Sequence, residues 1–204
     1  MLVLSRILLS LLVLALLAPA GSMAADWPMW RNDPNRSGAN TADLADELHL
    51  QWVVQYTPRT QVWDDPLNND LMIFDRIFEP VVAGDTLFVG FNDTDKMVAL
   101  DTKTGEEKWR YYVEGPVRFP AVAVDGGVYF VSDDGYIYCL DQATGALNWK
   151  FRGGPSDQKI IGNKRFVSIW PARGGAVVKD GVVYFSASIW PMMGVFIYAL
   201  DAKT

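Results

Sequence analysis

Apolar and β-branched residues come in short runs along most of this chain, separated by Asp-Gly and Thr-Gly turns. In the clearest stretch, Val122-Ala-Val124 ends at Asp125-Gly-Gly127 and Val128-Tyr-Phe-Val-Ser132 ends at Asp133-Asp-Gly135. Tyr136-Ile-Tyr-Cys-Leu140 then leads into Asp141 to Gly145, and Leu147-Asn-Trp-Lys-Phe151 closes the set. Runs this short, rich in Val and aromatic residues and bounded by turn-forming pairs, predict four antiparallel strands joined as a meander.

The same pattern recurs. Ala99-Leu-Asp-Thr-Lys-Thr-Gly-Glu-Glu-Lys-Trp109 is echoed by Cys139-Leu-Asp-Gln-Ala-Thr-Gly-Ala-Leu-Asn-Trp149 and begins again at Ala199-Leu-Asp-Ala-Lys-Thr204. Gly84-Asp85, Asp125-Gly126 and Asp180-Gly181 mark the first turn of each copy; Leu87-Phe-Val89, Val128-Tyr-Phe130 and Val183-Tyr-Phe185 mark the second strand. Four short strands in about forty residues make one propeller blade. The predicted fold is therefore all-β, an incomplete β-propeller with blade repeats at about 78–115, 116–153 and 172–204. Two blades are complete and the third lacks its last strand. Register predicts a glycine at position 205 and a tryptophan at 209 in a continuation. The open strand edges and blade faces lead us to expect residues 25–204 alone to aggregate or oligomerise.

The residues of the repeat are structural by their chemistry. An Asp at 101, 141 or 201 accepts backbone N–H groups just beyond it, with Thr104 and Thr144 in the same turns. Gly105 and Gly145 supply positive φ. Trp109 and Trp149, four residues after the glycines, fall in the fourth strand, where an indole fills the space between blades. Cys139, the only cysteine, stands where the other copies have Ala99 and Ala199, which marks a small buried position and excludes a disulfide within this sequence.

This pattern closely resembles the tryptophan-docking motif of pyrroloquinoline-quinone (PQQ) repeat proteins, the superfamily of quinoprotein alcohol dehydrogenases and their non-enzymatic relatives. The resemblance extends to Asp26-Trp-Pro-Met-Trp30-Arg31, Asn32-Asp-Pro-Asn-Arg-Ser-Gly38 and Leu48-His-Leu-Gln-Trp52, the last expected as an opening strand that closes the ring. It covers essentially all of residues 26–204 and implies about seven or eight blades, the remainder coming from a C-terminal part. In the family's dehydrogenases, PQQ and calcium sit in the central funnel on an early Glu, later Asn and Asp residues and an adjacent cysteine pair. Here the cysteine pair is missing and Phe78-Glu79-Pro80 does not reproduce the family's Glu-Thr-Thr-Pro, so the Glu role is not transferred to Glu79.

Composition narrows the function classes. Half of the 204 residues are hydrophobic, enough for a substantial core, and 24 acidic against 18 basic side chains give no reason to expect nucleic acid. Arg6, the apolar run Ile7–Ala18 and Ser22-Met-Ala24 read as a signal peptide, residues 1–24, cleaved after Ala24. The mature chain is then an exported periplasmic or extracellular protein, not an integral membrane protein.

Candidate chemistry is sparse. Asp64-Asp65 with Asn68-Asn-Asp70 is an oxygen-rich loop read as a solvated turn, and Asn92-Asp93 with Asp95 and Asp133-Asp134 read as tight turns at equivalent places. His49 is the only histidine, which leaves no histidine-rich metal site and no Ser-His-Asp triad. The third copy carries 20 extra residues, 15 between Trp149 and Asp180 and 5 between Asp180 and Asp201. Insertions in repeat proteins often map to the binding face. Here they hold Lys159, Lys164, Arg165 and Arg173, and Ser168-Ile-Trp-Pro171 is echoed by Ser188-Ile-Trp-Pro191. Arg165, Trp170, Arg173 and Trp190 form the candidate loop for a small-molecule ligand or an envelope protein; the plainer reading packs the indoles between blades and leaves the charges solvated. Two functions follow. The first is an exported binding or scaffold propeller, with envelope protein assembly as a candidate role; the alternative is a PQQ- and calcium-dependent alcohol or sugar dehydrogenase whose catalytic residues lie beyond residue 204.

Overall fold

The structure, a computed structural model, describes residues 26–57, 78–162 and 165–204. The signal-peptide reading and the Asp64–Asp70 loop lie outside these residues.

Strands β1 (Val81–Ala83), β2 (Thr86–Phe91), β3 (Lys96–Asp101) and β4 (Glu107–Tyr112) form one antiparallel meander. A second comprises β5 (Val122–Val124), β6 (Gly127–Val131), β7 (Tyr136–Asp141) and β8 (Leu147–Arg152). The third sheet has three strands, β11 (Gly174–Lys179), β12 (Val182–Ala187) and β13 (Phe196–Asp201); β9 (Lys159–Gly162) and β10 (Arg165–Ser168) form a separate hairpin before it. The 15-residue insertion is thus a hairpin, and the shorter one is the Ser188–Val195 connection with a 3-10 turn at Pro191–Met193.

Turn chemistry fixes the register. Val124 pairs with Gly127 across Asp125 and Gly126, whose φ values of 51° and 78° make the two-residue turn that matches strand twist. Asp180 and Gly181 repeat it at 52° and 76° between Lys179 and Val182.

Alternation along the middle sheet explains the cores. On β6 and β7, Val128, Phe130, Tyr138 and Leu140 face the first sheet, packing with Phe88, Met97, Ala99 and Trp109. Tyr129, Val131, Ile137 and Cys139 point the other way, toward Ala176, Val178, Val183 and Phe185 of the third. A sheet buried on both faces reads as an unbroken apolar run, which is why every residue of β6 is buried. Ala99 lies directly across from Trp109, and Cys139 across from Trp149. The small residue at this position makes room for the indole beside it.

The N-terminal residues bind the first strands of the first two sheets together. Trp27 exchanges both backbone hydrogen bonds with Val82 on the edge of β1 that faces away from β2. The Asp26 carboxylate accepts the Gly84 N–H, and the Pro28 carbonyl accepts the Ala123 N–H of β5. Met29 is buried in the core between the second and third sheets. Residues Leu48 to Trp52, expected as a strand, pair with no strand among the described residues; the segment is held by Trp52, while Leu48 and Leu50 are exposed.

Candidate functional site

The docking motif is built from backbone satisfaction. Asp101 Oδ1 accepts the N–H groups of Lys103 at 2.8 Å and Thr104 at 3.0 Å. Asp141 accepts the Thr144 hydroxyl at 2.7 Å and its N–H at 2.8 Å, and Asp201 accepts the backbone N–H groups of Lys203 and Thr204 at 2.8 and 3.2 Å. These hydrogen bonds, from Lys103 to Asp101, Thr144 to Asp141 and Lys203 to Asp201, hold all three carboxyls below the usual carboxylate range. Each turn then receives an indole: Trp52 Nε1 donates to Thr102 O, Trp109 to Gln142 O and Trp149 to Ala202 O, at 2.9, 3.0 and 3.2 Å. Gly105 and Gly145 are the floors on which the first two rings rest. These residues hold sheets together and have no free chemistry.

The opposite ends of the sheets are different. Asp133 and Asp134, expected in a tight turn, are 1% and 3% exposed. The turn is there, closed by Gly135 N–H to Ser132 O, but chain on both sides folds over it. Asp133 N–H donates to Pro116 O, Ser168 N–H to Asp133 O, and Ala172 N–H to Ser132 O. Burial removes water from the Asp133 carboxylate, and two guanidinium groups replace it. Arg173 reaches it through Nε and Nη2, both at 2.8 Å, and Arg118 through Nε at 2.7 Å. Such charge-assisted, two-pronged pairing is the strong form of an ion pair. The expectation that Arg173 stays solvated is corrected here: it is tied to the second sheet.

Asp134 is satisfied otherwise, by the Tyr138 hydroxyl at 2.6 Å and the N–H groups of Tyr136 and Glu114 at 3.0 and 3.3 Å. Burial nonetheless pushes its carboxyl up, and burial beside Asp134 pushes the Tyr138 hydroxyl up as well. Lys159, at the base of the β9–β10 hairpin, pairs with Glu114, which lowers the Glu114 carboxyl.

The candidate loop residues divide. Trp170 is buried, its Nε1 donating to Met193 O at 2.8 Å, so the two insertions of the third repeat are one connected rim. Trp190 is 51% exposed on that rim. The Arg165 side chain lies outside the described residues. The hairpin adds exposed Ile160, Ile161 and Phe166. Sequence reasoning found Trp170, Arg173 and Trp190 but missed Asp133 and Arg118, which lock this rim to the second sheet.

A family model described as outer membrane protein assembly factor BamB matches residues 49–192. No curated protein matches the chain. Among solved structures, quinohemoprotein alcohol dehydrogenase from Comamonas testosteroni aligns at a TM-score of 0.63 and 20% identity, over 91% of this chain and 27% of that one. BamB from Moraxella catarrhalis aligns at 0.43 and 21% identity, over 59% and 32%. The first likeness, at this identity, establishes the propeller fold. The chain spans about a third or less of these relatives' lengths.

A PQQ and calcium seat does not assemble from the described residues. Cys139 is packed between the second and third sheets, Asp133 is engaged by two arginines, and Glu79 is exposed beside β1.

Proposed function

The chain belongs to the PQQ-like repeat family of β-propellers, and from that membership we propose that it is an exported binding or scaffold module working in the assembly of envelope proteins. The observation that carries this reading is the hydrogen bond from Trp170 to Met193 O, which joins two insertions into one rim. That rim presents Ile161, Phe166, Trp190 and Met192 to solvent, Ile161 at 76% and Met192 at 86% exposure. Grouped exposed apolar side chains of this size mark interaction surfaces. Aromatic and Met side chains are enriched at the centres of such surfaces.

The polar groups behind the rim support recognition over catalysis. Asp133 is paired with both Arg118 and Arg173 in fixed geometry, and Asp134 is held by three donors. A general base needs an acceptor directed at substrate, whereas these acceptors are consumed inside the turn. They hold the surface rigid. Export is supported by the N-terminal Arg6 and the apolar run Ile7–Ala18.

The test is site-specific photo-crosslinking of the full-length exported protein in cells. A crosslinker at Trp190 or Phe166 should capture a discrete envelope protein, while one at Lys103, on the far turns, should not. Equal capture at both places, or none at the rim, would overturn the reading.

A further inference from the structure

A cleft of about 300 Å³ opens where the N-terminal segment passes the starts of the first and second sheets, lined by Trp27, Trp30, Arg31, Glu79, Pro80 and Pro120. It uses no residue of the rim and stands apart from the proposal above. Its walls are held firmly. Trp27 is fixed by its paired backbone bonds to Val82, and Pro28 by its bond to β5. The Arg36 guanidinium sits 4.7 Å from the centre of the Trp30 ring and steadies it, yet the ring stays 40% exposed.

The backbone beside the cleft is strained. Arg31, Asn32 and Arg36 have φ of 58°, 78° and 57°, three left-handed non-glycine residues within six. Each costs of order 1–3 kcal/mol, and such residues cluster at functional sites. Here the strained turn places an exposed Arg31 and the half-exposed Trp30 on the same cleft.

The lining specifies the ligand. Indole and pyrrolidine rings offer flat apolar surfaces, and one guanidinium with one carboxylate, Arg31 and Glu79, offers donors on one part and acceptors on another. An anionic ligand would meet Glu79 and a cationic one would meet Arg31. A ligand with flat C–H faces, many hydroxyls and no charge suits both. A volume near 300 Å³ lies at the lower end of small-molecule sites. A proline-rich peptide extends about 3 Å per residue and needs a longer groove. We propose that this cleft binds an uncharged carbohydrate, a mono- or disaccharide unit.

Calorimetric titration of the full-length protein with maltose and with cellobiose tests this, with glucuronate and glucosamine as charged counterparts. Saturable binding of a neutral sugar is expected. Trp30→Ala and Glu79→Gln should each weaken it by about ten-fold, while Tyr112→Ala, on the fourth strand of the first sheet, should not. Thermal melts establish that the variants fold; should Trp30→Ala fail to fold, the conservative Glu79→Gln decides. Absence of saturable binding, an affinity unchanged from the parent in both cleft variants, or preference for a charged sugar or a proline-rich peptide would overturn the assignment.

Discussion

Trp109 Nε1 donates to the carbonyl of Gln142 at 3.0 Å, from the last strand of one sheet into the third turn of the next. The indole lies over Gly145 so closely that a Cβ there would come within 2.6 Å of Trp109 Cδ2. Trp52 and Gly105 stand in the same relation, at 2.7 Å. The motif is therefore a joint between consecutive sheets, and its Asp, Gly and Trp are parts of a single contact.

The joint predicts an asymmetry between glycines. Gly145→Ala should destabilise the protein by about 2–4 kcal/mol, combining left-handed strain with the collision against the ring. Gly126 has a similar φ of 78° but nothing within 4 Å of the added carbon. Gly126→Ala should therefore cost only about 1 kcal/mol. Urea melts of the two variants compare them directly; equal losses would mean the indole contact contributes nothing.

Asp133 is the keystone of the rim. Removing it leaves Arg118 and Arg173 partly buried without their shared carboxylate, so Asp133→Ala should cost about 3–5 kcal/mol. Either arginine alone should cost less, because the other still pairs with the acid. Asp133→Ala combined with Arg173→Ala should fall short of additivity in chemical denaturation, since both changes break one contact. Strict additivity would show that the two residues act separately.

Two groups of carboxylates impose opposite pH dependences. Asp134 has its folded pKa raised by burial, so the folded chain binds the proton more tightly than the unfolded one. Its contribution is largest below the ordinary carboxylate range and is lost as pH rises through the folded value. Asp101, Asp141 and Asp201 are lowered, so theirs is complete above that range and lost as pH falls through the folded values. Melting temperatures from pH 3.5 to 8 should therefore shift in favour of Asp134→Asn as pH rises, relative to the parent. Asp141→Asn should flatten the acid limb instead. Parallel curves for Asp134→Asn and the parent would contradict the assignment.

Much of this fold was legible because blade strands are specified locally. Asp125-Gly126 and Asp180-Gly181 sit at their turns by φ preference, and the Ala99 and Cys139 positions share one reason, room beside an indole. The buried turn was not legible. Ser132-Asp-Asp-Gly135 has the composition of any solvent-facing hairpin, and its burial comes from residues 114–118 and 168–173 folding over it. Arg173 drew notice as part of a basic cluster, but nothing nearby in sequence names Asp133, forty residues away, as its partner.

Cys139 extends the same reasoning to reactivity. The thiol is buried against the third sheet, and burial pushes its pKa up, which suppresses the thiolate. Labelling by a thiol reagent should be slow in native buffer and complete in denaturant. Cys139→Ala should fold normally, as Ala99 already does in the first repeat. Rapid native labelling would place the residue outside the packed core.

The proposal of a binding or scaffold propeller, set against its alternative of a PQQ-dependent dehydrogenase, is tested most directly by adding PQQ and calcium to the full-length protein, measuring bound quinone together with dye-linked alcohol oxidation. The account predicts no stoichiometric quinone and no oxidation, with rim crosslinks unchanged by either addition. One tightly held quinone per chain, with alcohol-dependent dye reduction, would contradict it.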